Sequence, residues 1–198
     1  MKKVLLVILL ATVMFYYFYL NYFDQNSLRN KIEFERGYNI TDQSQKIEVC
    51  FNFLPSWLPK KNEKVKELHQ NIYNEHNTII AIEHVSLTPD GLAKVTVAIK
   101  PTYLYKSGEF ITDYIIIKKQ HGISHQYLNL EPIIFDRTGN QLNNAGHYIG
   151  KLYIEHPKFK KVAPSSHFEF FIECRYFENN DPLLVKFSGL NLINYKKN

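Results

Sequence analysis

Cys50 and Cys174 are the only two cysteines in the chain. Closing a loop of that length with a disulfide would contribute roughly 4–5 kcal/mol in the chain-entropy model. Strand parity separates the two, however. Cys50 falls on the polar side of an alternating run with Glu48 and Asn52, and Cys174 falls on the apolar side with Phe170, Ile172 and Tyr176. A Cys50–Cys174 disulfide and two separate thiols, one of them a small core hydrophobe, both stay open. A catalytic thiol needs a neighbouring base, and none is placed beside either cysteine by spacing.

Eight histidines raise the question of a metal. His121 and His125 flank Gly122-Ile123-Ser124, and His69 and His76 are seven apart. Zinc sites take three or four ligands at recognisable spacing, and neither HExxH nor CxxC occurs here. The histidines read as surface residues, with no metal and no cofactor expected. His84-Val85-Ser86-Leu87 has the H-φ-S-φ form used, twice over, by two-histidine phosphoesterases. The second candidate, His167-Phe168-Glu169-Phe170, carries Glu where the phosphate-binding hydroxyl belongs, so simple strand alternation is preferred. Glu169, Glu173 and Arg175 share a face with His167 and read as a solvated outer face. With no G-x-S-x-G, P-loop or G-x-G-x-x-G, no catalytic residue is assigned.

The elements that would position these groups are mostly strands. Period-two alternation marks Lys46 to Phe53 and Val95 to Ile99. Thr78 to Leu87, which leads into the turn Pro89-Asp90-Gly91, Tyr127 to Phe135, His147 to His156 and Phe168 to Phe177 are read as further strands. Ile111 to Lys118, with three consecutive isoleucines, reads as one strand buried on both faces. Leu183 to Tyr195 changes parity midway, which a β-bulge at Ser188-Gly189 would reconcile. Val65, Leu68, Ile72 and Tyr73 sit at helical spacing, so Asn62 to Asn77 is predicted to be a helix capped by Asn62. The fold class is therefore mainly β: an antiparallel, immunoglobulin-like β-sandwich with one short helix. The alternative is an α+β curved meander with that helix packed across it.

Ahead of these strands, Lys2 and Lys3 precede an apolar run from Val4 to Leu20, followed by Tyr22 and Phe23. Its length is at the lower end of what spans a bilayer, and its ring-rich far end suits the headgroup layer. No small-residue cleavage site follows, which favours an uncleaved signal anchor over a signal peptide. The lysines place the N-terminus in the cytoplasm and the rest outside it, in the periplasm or at the cell surface. Residues 1–23 thus read as a transmembrane signal anchor, 24–45 as a stalk, and 46–198 as an extracytoplasmic β-rich domain.

The net charge is +5. Outside the cytoplasm that points away from nucleic acid and towards solubility, or towards anionic lipid or wall polymers. Trp57, held between Pro55 and Pro59, and the cluster Lys158, Lys160 and Lys161 are the candidate binding surface. Plugging the core is the competing role for Trp57. The expected function is a non-catalytic binding or assembly module whose partners are the membrane and another envelope protein. A membrane-anchored immunity or protective factor is an alternative, and an extracytoplasmic hydrolase or metal enzyme is a further one.

Overall fold

The computed structural model describes residues 2–35, 37–60, 62–119, 122–128, 130, 132–142 and 166–198. The first helix, α1 (Lys2–Tyr22), contains neither Gly nor Pro. A second, α2 (Gln25–Arg29), begins at Asp24, whose carboxylate accepts the Ser27 N–H at 2.7 Å as an N-cap. It runs directly into a π-helical turn, Asn30–Phe34.

The strands follow as β1 (Tyr38–Asp42), β2 (Lys46–Phe53), β3 (Val65–Glu75), β4 (Thr78–Leu87), β5 (Leu92–Pro101) and β6 (Ser107–Thr112). Beyond these come β7 (Tyr114–Lys119), β8 (Gly122–Tyr127), β9 (Pro132–Phe135), β10 (Gln141–Leu142), β11 (Ser166–Glu173) and β12 (Leu183–Lys197). All pairings are antiparallel. The expected strand from His147 to His156 lies outside the described residues.

β12 is the spine of a six-stranded sheet. Leu183 to Phe187 pairs with β2 on one edge and β9 on the other. Asn191 to Lys197 lies between β6 and β1. The bulge expected at Ser188-Gly189 is present as a register shift between Phe187 and Leu190, and Gly189 takes φ +91°. An L-residue is strained there, although a Cβ would meet nothing within 4 Å. Gly189→Ala is therefore expected to cost about 1–2 kcal/mol, from backbone strain alone. Gly37→Ala, also in open space but without a positive φ, should be near neutral. Urea titration of both variants in detergent checks the contrast.

A four-stranded sheet, in the order β11-β5-β4-β3, shares the main core with the six-stranded one. Phe187 of β12 meets Phe168 and Phe170 of β11 with ring centroids 5.1 Å apart in each case. A second core lies on the other face of the C-terminal half of β12. It joins Leu28, Ile32, Tyr38, Tyr103, Phe110, Tyr114, Ile116, Ile193 and Tyr195. Leu192 thus faces one core and Ile193 the other, so this half-strand is covered on both sides.

Several expectations are corrected. Asn62 to Asn77 is not a helix; Val65 to Glu75 is an edge strand with register shifts between Glu67 and Gln70 and between Asn71 and Tyr73. Each bulge resets the alternation, so Leu68, Ile72 and Tyr73 all pack on the main core while their spacing imitates a helix. The alternative fold, which needed a helix across a meander, loses that element. Ile111 to Lys118 is two strands in different sheets, broken at Asp113; Ile116 is buried and Ile115 and Ile117 only half-buried. Tyr127 to Phe135 is likewise divided between β8 and β9, and the run from Phe168 ends at Glu173 in a 3₁₀ turn over Cys174–Phe177. The segment read as a stalk is built into the fold: Leu28 and Ile32 are core residues, and β1 pairs with β12. Its apolar residues lack a period because they sit on three short elements in succession.

Candidate functional site

Two polar constellations stand out. The first is on the outer face of the four-stranded sheet. The register sets His84 of β4, Thr96 of β5 and Glu169 of β11 in one row. Thr96 Oγ1 lies 3.1 Å from His84 Nε2 and 3.3 Å from Glu169 Oε1, and Lys94 Nζ donates to the same carboxylate oxygen at 3.0 Å. A bulge between Ile82 and His84 turns Glu83 outward as well. Glu83 meets His69 Nδ1 at 2.8 Å and also pairs with Lys100. Burial would raise the Glu83 carboxyl, but Lys100 and His69 outweigh it and hold it below its usual range. His167, half-buried nearby, is held below its ordinary value by burial; Glu83 opposes this, while Lys100 and His84 add to it.

A hydroxyl between an imidazole and a carboxylate has the outline of an activated nucleophile. Here Thr96 is only 5% exposed, its oxygen is engaged on both sides, and Lys94 already compensates Glu169. The row leaves the Thr96 oxygen buried and engaged, with the part-exposed His84 and Lys94 side chains beside it. Both tetrads read from the sequence are strands on this face, with β5 between them. The second tetrad's Glu169 serves as a salt-bridge acceptor.

The second constellation is buried in the second core. Glu33, on the π-helical turn, is fully buried. Its Oε1 accepts from Arg29 Nε at 3.1 Å, one helical turn back, and from the Tyr103 hydroxyl. Its Oε2 accepts from the Tyr114 hydroxyl at 2.7 Å and lies 3.6 Å from His125 Nε2. The His125 ring is held between Phe34 and Tyr114, with centroids 4.7 and 5.0 Å away. Burial alone would raise the Glu33 carboxyl; the His125 ring, the Arg29 charge and the two hydroxyls together hold it below its usual range. Burial, and then the Glu33 charge, push both tyrosine hydroxyls well above theirs. Four partners around one carboxylate make a structural clasp between α2, the π-turn, the β5–β6 loop, β7 and β8.

The residues singled out from sequence are scattered. His125 joins the clasp, while His121 lies outside the described residues. His69 and His76 do not share a helix face; both have positive φ, and His76 Nδ1 meets Glu109 at 2.8 Å. Among the described residues no group of three or more His, Cys, Asp or Glu is arranged to hold a metal. Cys50 and Cys174 are free thiols, the first exposed and the second half-buried. Burial raises both thiols above their ordinary value, and Glu48, 3.3 Å from Cys50 Sγ, adds to this for Cys50.

Trp57, on a 3₁₀ turn over Pro55–Trp57, packs against the main core, edge-on to Phe53 at 5.2 Å and stacked near Phe51 at 6.4 Å. Lys158, Lys160 and Lys161 lie outside the described residues. Sequence reading missed the Glu33 clasp. Its one legible sign was the i,i+4 pair of Arg29 and Glu33, because Tyr103, Tyr114 and His125 come from distant strands and loops.

Among the described residues no single helix is long and apolar enough to cross a membrane. The bent pair Val4–Leu20 and Gln25–Phe34, broken by 50°, passes by length and composition. Comparison of the chain with protein-family models, with characterised proteins and with solved structures finds no match.

Proposed function

We propose that this chain is a membrane-tethered, extracytoplasmic binding domain. In this reading α1 crosses the bilayer with its N-terminus in the cytoplasm, and the β-domain recognises another envelope protein without chemical turnover. One observation carries it: among the described residues, the apolar side chains of α1 stay largely exposed. Leu5 is 74% exposed, Leu9 59% and Phe15 75%. So large a contiguous apolar surface needs a non-aqueous partner. At about 1.5 Å per residue the apolar stretch Val4–Leu20 of α1 reaches roughly 25 Å, a little short of a hydrocarbon core of roughly 30 Å. In this reading the bilayer therefore thins locally around it, and Tyr22 and Phe23 lie at the headgroup layer. Gln25–Phe34, the other half of the bent pair, has Leu28 and Ile32 in the second core and stays with the domain.

Binding is favoured over catalysis because the polar row on the four-stranded sheet satisfies its own groups, with Thr96 and Glu169 buried and Lys94 neutralising Glu169. In the same reading the two core-sharing sheets are the layers of an immunoglobulin-like sandwich, a label the layering supports.

A C-terminal reporter active only outside the cytoplasm should be active. Deleting residues 2–22 should move the protein from the alkali-resistant membrane fraction to the soluble one. A photo-crosslinker at His69, whose side chain is 65% exposed, should give a discrete adduct with an envelope protein. Reporter activity confined to the cytoplasm would sink the topology. Substrate turnover abolished by His84→Ala would replace binding with catalysis.

A further inference from the structure

At the foot of α1, three consecutive residues of the β5–β6 loop have their backbone groups held by side chains from three different elements. Gln25 of α2 clamps Tyr103, with Nε2 donating to its carbonyl at 3.2 Å and Oε1 accepting its N–H at 2.6 Å. The Tyr195 hydroxyl of β12 accepts the Leu104 N–H at 2.6 Å and donates to the Leu104 carbonyl at 3.0 Å. The Tyr38 hydroxyl of β1 donates to the Tyr105 carbonyl at 2.5 Å. A loop fixed this firmly nevertheless leaves the Leu104 side chain 46% exposed. Beside it, the Tyr105 ring lies against Tyr22 of α1 with centroids 4.1 Å apart, and Phe23 is 61% exposed.

Basic residues adjoin this apolar tip. Lys197 Nζ sits 3.9 Å from the Tyr105 ring centroid. Lys106 and Lys196 are exposed, and the Lys106 carbonyl accepts the Lys197 N–H at 2.8 Å. The nearby acid Asp24 is occupied capping α2, and Glu35 is exposed beyond the π-turn. An ordered apolar tip, continuous with an apolar helix and with lysines beside it, has the chemistry of a lipid-headgroup surface.

We infer that this end of the β-domain docks on an anionic bilayer: Leu104 enters the interface beside Tyr22 and Tyr105, while Lys106, Lys196 and Lys197 contact lipid phosphates. The inference rests on the tether reading of α1, and its test separates the two. The full chain carries Leu104→Cys in a Cys50→Ser/Cys174→Ser background, labelled with an environment-sensitive fluorophore. It is placed in nanodiscs of phosphatidylcholine, with or without phosphatidylglycerol.

The probe should be quenched by lipids spin-labelled at headgroup depth, and more strongly in the anionic discs. A lysine near an anionic surface is worth about fivefold in the docking equilibrium constant, so Lys106→Glu/Lys196→Glu should lower the docked-to-undocked ratio by at least about tenfold while the protein still co-elutes with the discs. A water-exposed probe indifferent to lipid charge, on a chain that co-elutes, overturns the docking surface and leaves the tether standing. Failure to co-elute overturns both. Equal quenching in neutral and anionic discs overturns the role of the lysines.

Discussion

Replacing Glu33 with leucine is expected to destabilise the fold by about 3–5 kcal/mol, because it leaves the buried Arg29 guanidinium without its counter-ion. Two buried hydroxyls, of Tyr103 and Tyr114, lose their acceptor in the same step. Pairing the change with Arg29→Met should recover much of the loss, since an apolar pair removes the uncompensated charge. The pH dependence gives an independent reading. The Glu33 carboxyl is held below its ordinary value of 4.5 in the folded state. Its contribution is therefore fully present above the unfolded-state value and is lost as pH falls through the lower folded one. Glu33→Leu should flatten that acid limb of the stability curve. Urea titrations of the full chain in detergent, from neutral pH to about pH 3, would show it. A variant as stable as the parent would mean that the clasp contributes nothing.

Phe187→Ala should cost a similar amount, about 3–5 kcal/mol, for a different reason: it opens a cavity where the two sheets meet. Phe187 is 1% exposed and touches Phe168 and Phe170 across the core and Phe51, at 5.9 Å, along its own sheet. Phe187→Leu should lose much less, because most of the volume is kept. Phe187 and Glu33 face different cores and share no partner, so their effects should add within about 0.5 kcal/mol. A marked departure, read from the same titrations on the double variant, would show that β12 couples the two cores.

The strands on the main core are legible where apolar β-formers run between clear turn signals. Lys46 to Phe53 and Thr78 to Leu87 are strands over the expected residues, and the parity change in β12 marked its bulge. Legibility failed where bulges were less obvious. In β3 two of them turned a period of two into an apparent helical period. It failed again where burial comes from separate layers: Leu28 and Ile32 show no strand or helix period of useful length, yet they complete the second core. The polar face was half legible, since His84, His167 and Glu169 were noticed singly, while Thr96 and Glu83 join them only through register and a bulge. The clasp was the least legible, because hydrogen bonds between positions 33, 103 and 114 leave no trace in local spacing.

The place of β12 in the sequence has a consequence for how the molecule is made. Among the described residues its four partner strands, β1, β2, β6 and β9, all precede it in the chain. During synthesis those strands emerge first and have no central strand to pair with. The six-stranded sheet can close only after residue 183 onward has left the ribosome. Sheets that depend on distant pairings fold slowly and expose unpaired edges while they wait. Stalling synthesis before β12 should therefore yield a nascent chain that is protease-sensitive along β1, β2, β6 and β9, whereas the β3-β4-β5 meander, whose pairings are local, can already be protected.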